Sequence, residues 1–127
     1  MAERRTRIVV AEDDEATLEL LVTRLEIHGY QAFAARDGRR ALEAISLVRP
    51  HGMVLDLGMP NLDGFGVLRA LRDSGRLQSV PVLVLTGMTT SDCIRMAIGL
   101  GASDYLAKPF ESAKLLARLA RITSQAR

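Results

Sequence analysis

Apolar residues follow two alternating rhythms along this chain, short unbroken runs and longer stretches at helical spacing. Arg7-Ile8-Val9-Val10-Ala11 is β-branched and apolar and stops at Glu12-Asp13-Asp14. Ala16 to His28 then places Leu18, Leu21, Val22 and Leu25 at helical intervals and ends at Gly29, a residue suited to closing a helix. The same alternation continues. Gln31 to Ala35 predicts a weaker strand, and Arg39 to Val48 a second helix closed by Pro50. Gly52 to Leu57 predicts a buried strand with Asp56 at its end, and Gly64 to Ser74 a third helix. Pro81 to Leu85 predicts a fourth strand, and a fourth helix capped by Thr90 or Ser91 runs through Leu100. Asp104 to Ala107 and Glu111 to about Thr123 complete the series as strand and helix. Neither an internal repeat nor a low-complexity linker interrupts it.

Wholly apolar strands, each followed by a helix, require a parallel sheet covered on both faces. Right-handed crossovers bring the C-terminal ends of the strands to one edge, where open α/β sheets bind ligands. Glu12, Asp13, Asp56, Thr86 and Lys108 each stand at or just past such an end. Residues far apart in sequence are therefore expected at one mouth.

Composition narrows the picture without changing it. The chain has 127 residues, 48% hydrophobic and 25% charged, enough apolar material for one domain core. No apolar run approaches the roughly 20 residues that cross a bilayer, and the N-terminus lacks the pattern of a signal peptide. The lone Cys93 has no partner for an internal disulfide, so a cytoplasmic setting is expected. Arginines are scattered, net charge is only +2, and no stacking motif accompanies them, so direct nucleic-acid binding and membrane association are not expected.

Three carboxylates at one mouth repel each other unless a cation or protons intervene. A hard divalent ion relieves that repulsion, and Mg²⁺ typically uses few carboxylates and keeps several waters. Asp13 and Asp56 are assigned as direct ligands, Glu12 as a ligand through water, and Gly58 as a ligand through its backbone carbonyl. Alone, the acidic triplet would say little, because helix N-termini attract acids. Asp56 ends an apolar strand, where a carboxylate is costly unless paired. It either caps the next turn or serves as a nucleophile toward phosphoryl donors. Lys108 offers a point charge for phosphate, although most lysines simply lie on the surface. Its bond to Pro109 is a candidate cis peptide. Thr86 offers a hydroxyl donor, or a turn cap.

The segment Asp56-Leu57-Gly58-Met59-Pro60-Asn61-Leu62-Asp63-Gly64 resembles the D-x-x-M-P-x-x-x-G loop of response-regulator receiver domains. The acids Glu12 and Asp13, then Thr86, then Lys108 within Gly101 to Phe110, all fall at that family's offsets from Asp56. The resemblance covers essentially the whole chain, so residues 1–127 read as a single receiver domain with 1–6 and 124–127 as frayed ends. It implies a flavodoxin-like, doubly wound α/β fold, five parallel strands in order 2-1-3-4-5 with five helices. It further implies that Asp56 is the phosphoacceptor, that Glu12, Asp13 and the Gly58 carbonyl hold Mg²⁺, and that Thr86 and Lys108 bind the phosphoryl group. Tyr105 matches the family's switch aromatic, though it also reads as an ordinary half-buried strand tyrosine. The implied partners are a histidine kinase or phosphotransfer protein as donor, and a downstream effector or covalently linked output domain at the helix 4–strand 5–helix 5 face.

Some positions depart from the pattern. Glu12 replaces the commoner aspartate. Gly58 has no side chain and Met88 an apolar one where the family tunes how water reaches the phosphoryl group, so self-dephosphorylation is not expected to be especially fast. Ile94, Met96, Ile98 and Leu100 spread apolar surface around the fourth helix, as a wider core contact or as a docking face for a partner or second copy. Ile94 and Gly99 stand where relatives with winged-helix outputs carry charge, so a homodimer of that type is in doubt. An external-substrate enzyme of the haloacid-dehalogenase kind would want an acid where Gly58 stands, so turnover is not expected. A flavin carrier would need a hydroxyl-rich loop after the first strand. A phosphate-independent interaction module of the same fold stays as the alternative. No output domain is expected within these residues, which leaves a stand-alone regulator and a piece of a longer one both open.

Overall fold

A computed structural model describes residues 5–125, with side chains through Ser124. Five strands, β1 (Arg7–Ala11), β2 (Gln31–Ala35), β3 (Gly52–Leu55), β4 (Val82–Thr86) and β5 (Asp104–Ala107), form one parallel sheet in the order β2-β1-β3-β4-β5. The helices are α1 (Glu15–Ile27), α2 (Gly38–Val48), α3 (Gly64–Asp73), α4 (Ser91–Gly99) and α5 (Ser112–Gln125). The expected fold and strand order are both present.

Strand parity decides the layers, because successive side chains point to opposite faces. Ile8, Val10, Val54, Leu83 and Leu85 bury against Leu18, Leu21 and Leu25 of α1 and Leu115, Leu119 and Ile122 of α5. Val9, Ala11, Met53, Leu55, Val82 and Val84 take the other face, against Ala41 and Ile45 of α2, Val67, Leu68 and Leu71 of α3, and Ala97 of α4. Because both faces are covered, the central strands can be apolar throughout. Asp14, Asp37, Asp63 and Thr90 cap α1 to α4, each accepting from a backbone N–H three residues on.

The end of β3 differs from expectation for a physical reason. β3 stops at Leu55, the last residue paired with both β1 and β4. The Asp56 amide still donates to Ala11 at 3.0 Å, but by Leu57 the chain has turned, and the Leu57 carbonyl accepts from Gly64 at 3.0 Å. A 3-10 turn at Arg76–Gln78 was not anticipated. Of the ends expected to fray, residues 1–4, 126 and 127 lie outside the described residues. The Thr6 carbonyl accepts from Gln31 at 2.9 Å, and α5 runs on to Gln125.

Candidate functional site

The C-terminal edge of the sheet carries the acids. Glu12 follows β1 directly, and its amide donates to Ala35 of β2 at 3.0 Å, which extends the ladder by one bond. Its side chain is buried at 2% exposure, and Oε2 accepts from the Asp14 amide at 3.0 Å. Asp14 in turn accepts from the Thr17 amide at 2.9 Å and the Thr17 hydroxyl at 2.6 Å. These bonds, the hydroxyl's foremost, hold the Asp14 carboxyl below its ordinary value. Sequence reading treated Asp14 only as the third acid of a triplet. Its position just before a helical run was the available signal that it caps α1 and fixes Glu12.

Asp56 is buried at 7% exposure just beyond β3. Its Oδ1 accepts a long bond from the Gly58 amide at 3.4 Å, and its Oδ2 lies 3.6 Å from the Lys108 Nζ. Lys108 also donates to Glu12 Oε1. The lysine is therefore the ammonium that Glu12 and Asp56 share. The Lys108–Pro109 bond is cis. One carboxylate oxygen each from Glu12, Asp13 and Asp56 lie within 4.8 Å of one another, with Asp13 the most open of the three. Burial pushes the Glu12 carboxyl above its usual range, and Asp56 adds to this. The bonds from Lys108 and Asp14 pull the other way without prevailing. An all-oxygen cluster of three acids against one ammonium fits the donor chemistry of a hard divalent cation such as Mg²⁺.

Thr86 ends β4, the strand next to β3, and is buried at 1% exposure. Its hydroxyl accepts from the Met88 amide at 3.3 Å, and its carbonyl accepts from the Lys108 amide at 2.9 Å. The backbone of Thr86 is thus tied directly to the residue that carries the ammonium. Tyr105 is half-buried against the core on the α4 side, and its hydroxyl donates to the Met88 carbonyl. Burial raises the Tyr105 phenol above its ordinary value. Gly58 is exposed, and a Cβ there would meet only the Met88 sulfur at 3.8 Å. The two apolar departures noted in the sequence are therefore neighbours at the mouth.

The residues expected at one mouth are distributed accordingly. Glu12, Asp13, Asp56 and Lys108 form a single cluster, Thr86 stands at the adjacent strand end, and Tyr105 reaches the loop after Thr86. On α4, Met96 and Ile98 remain exposed, whereas Leu100 packs against the core and Ile94 is half-buried. Asp104 is paired within the chain to Arg118 and Arg121. No helix among the described residues is long and apolar enough to cross a membrane.

Comparison with known proteins agrees with this geometry. The family model described as response regulator receiver domain matches residues 8–120. The response regulator MprA of Mycolicibacterium vanbaalenii is 44% identical over 113 residues, covering 89% of this chain and 48% of that protein. The chain thus spans about half the length of the curated relatives it matches. Among solved structures, the receiver domain of the Francisella response regulator 1452 superposes with a TM-score of 0.90 at 28% identity, covering 97% of this chain and 100% of the other. The BeF3-activated N-terminal receiver domain of Klebsiella pneumoniae RstA gives a TM-score of 0.86 at 31% identity, covering 93% and 98%.

Proposed function

This chain belongs to the response regulator receiver domains, and from that premise we propose that it accepts a phosphoryl group on Asp56 in a Mg²⁺-dependent step. A receiver domain of two-component response regulators is a signalling module. The donor is a histidine kinase, a phosphotransfer protein or a small acyl phosphate, and the setting is the cytoplasm. A carboxylate oxygen of Asp56 attacks phosphorus and the bond from phosphorus to the donor atom breaks. An acyl phosphate releases its carboxylate as the anion, and a phosphohistidine releases an imidazole that takes its proton from solvent. Glu12, Asp13, Asp56 and the Gly58 carbonyl would hold Mg²⁺, which offsets the negative charge of the transferring group.

Each remaining role belongs to a side chain already at the mouth. Lys108 exchanges its contacts with Glu12 and Asp56 for the phosphoryl oxygens, and the Thr86 hydroxyl donates to the same group. Movement of Thr86 changes the backbone at Met88, to which the Tyr105 hydroxyl is bonded. A conformer in which Thr86 and Lys108 bind the phosphoryl group better gains population, and the α4–β5–α5 face reports it to an effector or output domain. With Gly58 and Met88 beside the group and no polar side chain at either, self-dephosphorylation is not especially fast.

The observation that carries this reading is the convergence of Glu12, Asp13, Asp56 and Lys108 at one strand edge. The BeF3-activated state of the RstA receiver domain supports it by likeness. Incubation with acetyl phosphate and MgCl₂ should add one phosphoryl mass to the wild type. Asp56→Asn protein and a magnesium-free sample should gain none. A wild type that stays unmodified by small donors and candidate kinases alike would leave the phosphate-independent interaction module as the function.

A further inference from the structure

The loop from Asp56 to Asp63 carries two elements of the site, the acid at its start and the Gly58 backbone. Gly58, Pro60 and Asn61 are exposed, so they do not fix its path. Three apolar side chains do, Leu57 and Met59 in the core and Leu62 near the far end. Asn61 adopts the left-handed region at φ 67°, and Leu62 follows it into a slot between two helix starts. One wall is Gly38, the first residue of α2, and the other is Gly66 in the first turn of α3.

Neither wall has room for a methyl group. A Cβ on Gly38 would lie 2.3 Å from the Leu62 carbonyl oxygen and 2.9 Å from the Leu62 Cβ. A Cβ on Gly66 would lie 2.5 Å from Leu62 Cδ1. The Gly38 contact is with backbone, so the loop itself would have to shift. The Gly66 contact is with the end of a side chain, which can move more cheaply. The Gly64 amide bond to Leu57 and the Asp63 cap fix the loop where it meets α3. A displacement of Leu62 is therefore passed back toward Gly58 rather than absorbed in the helix.

We infer that Gly38, Leu62 and Gly66 form a latch that positions the Gly58 backbone at the site and ties the start of α2 to metal binding. None of the three touches the acids, so they are positioning residues. The inference rests on the reading of Gly58 as a metal-facing carbonyl. Its consequence for Mg²⁺ is of the size expected when the support of a ligand is disturbed, about tenfold in affinity.

The test follows the Gly58 amide resonance by NMR in metal-free protein, the Mg²⁺ dissociation constant, and the urea midpoint. Gly38→Ala should move the Gly58 resonance and weaken Mg²⁺ binding about tenfold, and Gly66→Ala should do both to a smaller extent. A variant of Leu119, in the opposite core layer, with an equally lowered midpoint should change neither. Adding Leu62→Val, which lacks the clashing Cδ1, to Gly66→Ala should restore most of the loss. Should Gly38→Ala fail to fold, Gly66→Ala and its rescue decide alone. Folded glycine variants with wild-type resonance and affinity would overturn the latch, as would an equal loss in the Leu119 control. If wild-type protein binds no Mg²⁺, the metal reading fails, while the Gly58 resonance still decides the latch.

Discussion

Glu12 is the residue at which stability and proposed function oppose each other most directly. It is almost wholly buried, and burial raises its carboxyl more than Lys108 and Asp14 lower it. An acid whose folded value lies above its unfolded one contributes stability that is full below the ordinary value of 4.5 and lost as pH rises through the folded value. In metal-free protein at neutral pH the charge on Glu12 is therefore a cost. Glu12→Gln should raise the metal-free unfolding free energy at pH 7, because it removes the buried charge while Lys108 keeps Asp56 as a partner. Urea titrations should show that gain shrinking as pH falls toward 4, with a weaker response to Mg²⁺ in the variant. Unchanged or lower stability at pH 7 would mean that Lys108 compensates Glu12 fully. The acids and Lys108 were legible in the sequence because polar residues at the ends of apolar strands stand out against their surroundings. The Leu62 slot was not legible, since it depends on how closely two helix starts approach a loop distant in sequence from one of them.

Among the helices, α4 is held differently from the others. Ala97 is its single fully buried residue, whereas Leu18, Leu21 and Leu25 anchor α1, and Leu115, Leu119 and Ile122 anchor α5. Of the two readings left open for its apolar residues, the wider core contact holds for Leu100, just past the helix, and not for Met96 or Ile98. Met96→Glu and Ile98→Lys should each change stability by no more than about 0.5 kcal/mol, as exposed substitutions usually do. The amides of α4 should exchange faster than those of α1 and α5. A loss of several kcal/mol at either position would make them core residues after all. In α3 the opposite holds. Asp63 caps the helix through Gly66 at 2.8 Å, and Asp63→Ala should cost about 1 kcal/mol by urea unfolding. Helix and strand positions were legible to within a residue or two, because apolar strands, capping acids and Gly29 or Pro50 punctuate the chain. The 3-10 turn at Arg76–Gln78 was missed because three residues carry no periodicity. It is closed at the Arg76 carbonyl by the Ser79 and Val80 amides, at 3.1 and 2.9 Å, and by the Ser79 hydroxyl at 3.2 Å.

At the scale of the molecule, the sheet makes folding and site assembly one event. The two-sided covering was legible because the central strands are wholly apolar, whereas the strand order was legible only through the family resemblance. The convergence of the site followed from that topology and from no single motif. Glu12 and Asp13 depend on β1, Asp56 on β3, Thr86 on β4 and Lys108 on β5, and the intervening pairings are all parallel. A cation held across these ends binds only the folded chain, because unfolding separates the ligands along the sequence. Linkage then stabilises the whole domain by about 2.7 kcal/mol when Mg²⁺ stands at about a hundred times its dissociation constant. Urea midpoints of the wild type should rise with MgCl₂ along that logarithmic curve, followed in parallel by circular dichroism and by tyrosine fluorescence. Asp13→Asn should flatten the curve, since it removes the most open of the three acids without disturbing the core. NaCl at the same ionic strength separates site binding from screening, because screening alone would act equally in the wild type and the variant. A wild-type midpoint indifferent to Mg²⁺ would remove the metal from the proposed function and favour the interaction module that works without phosphate.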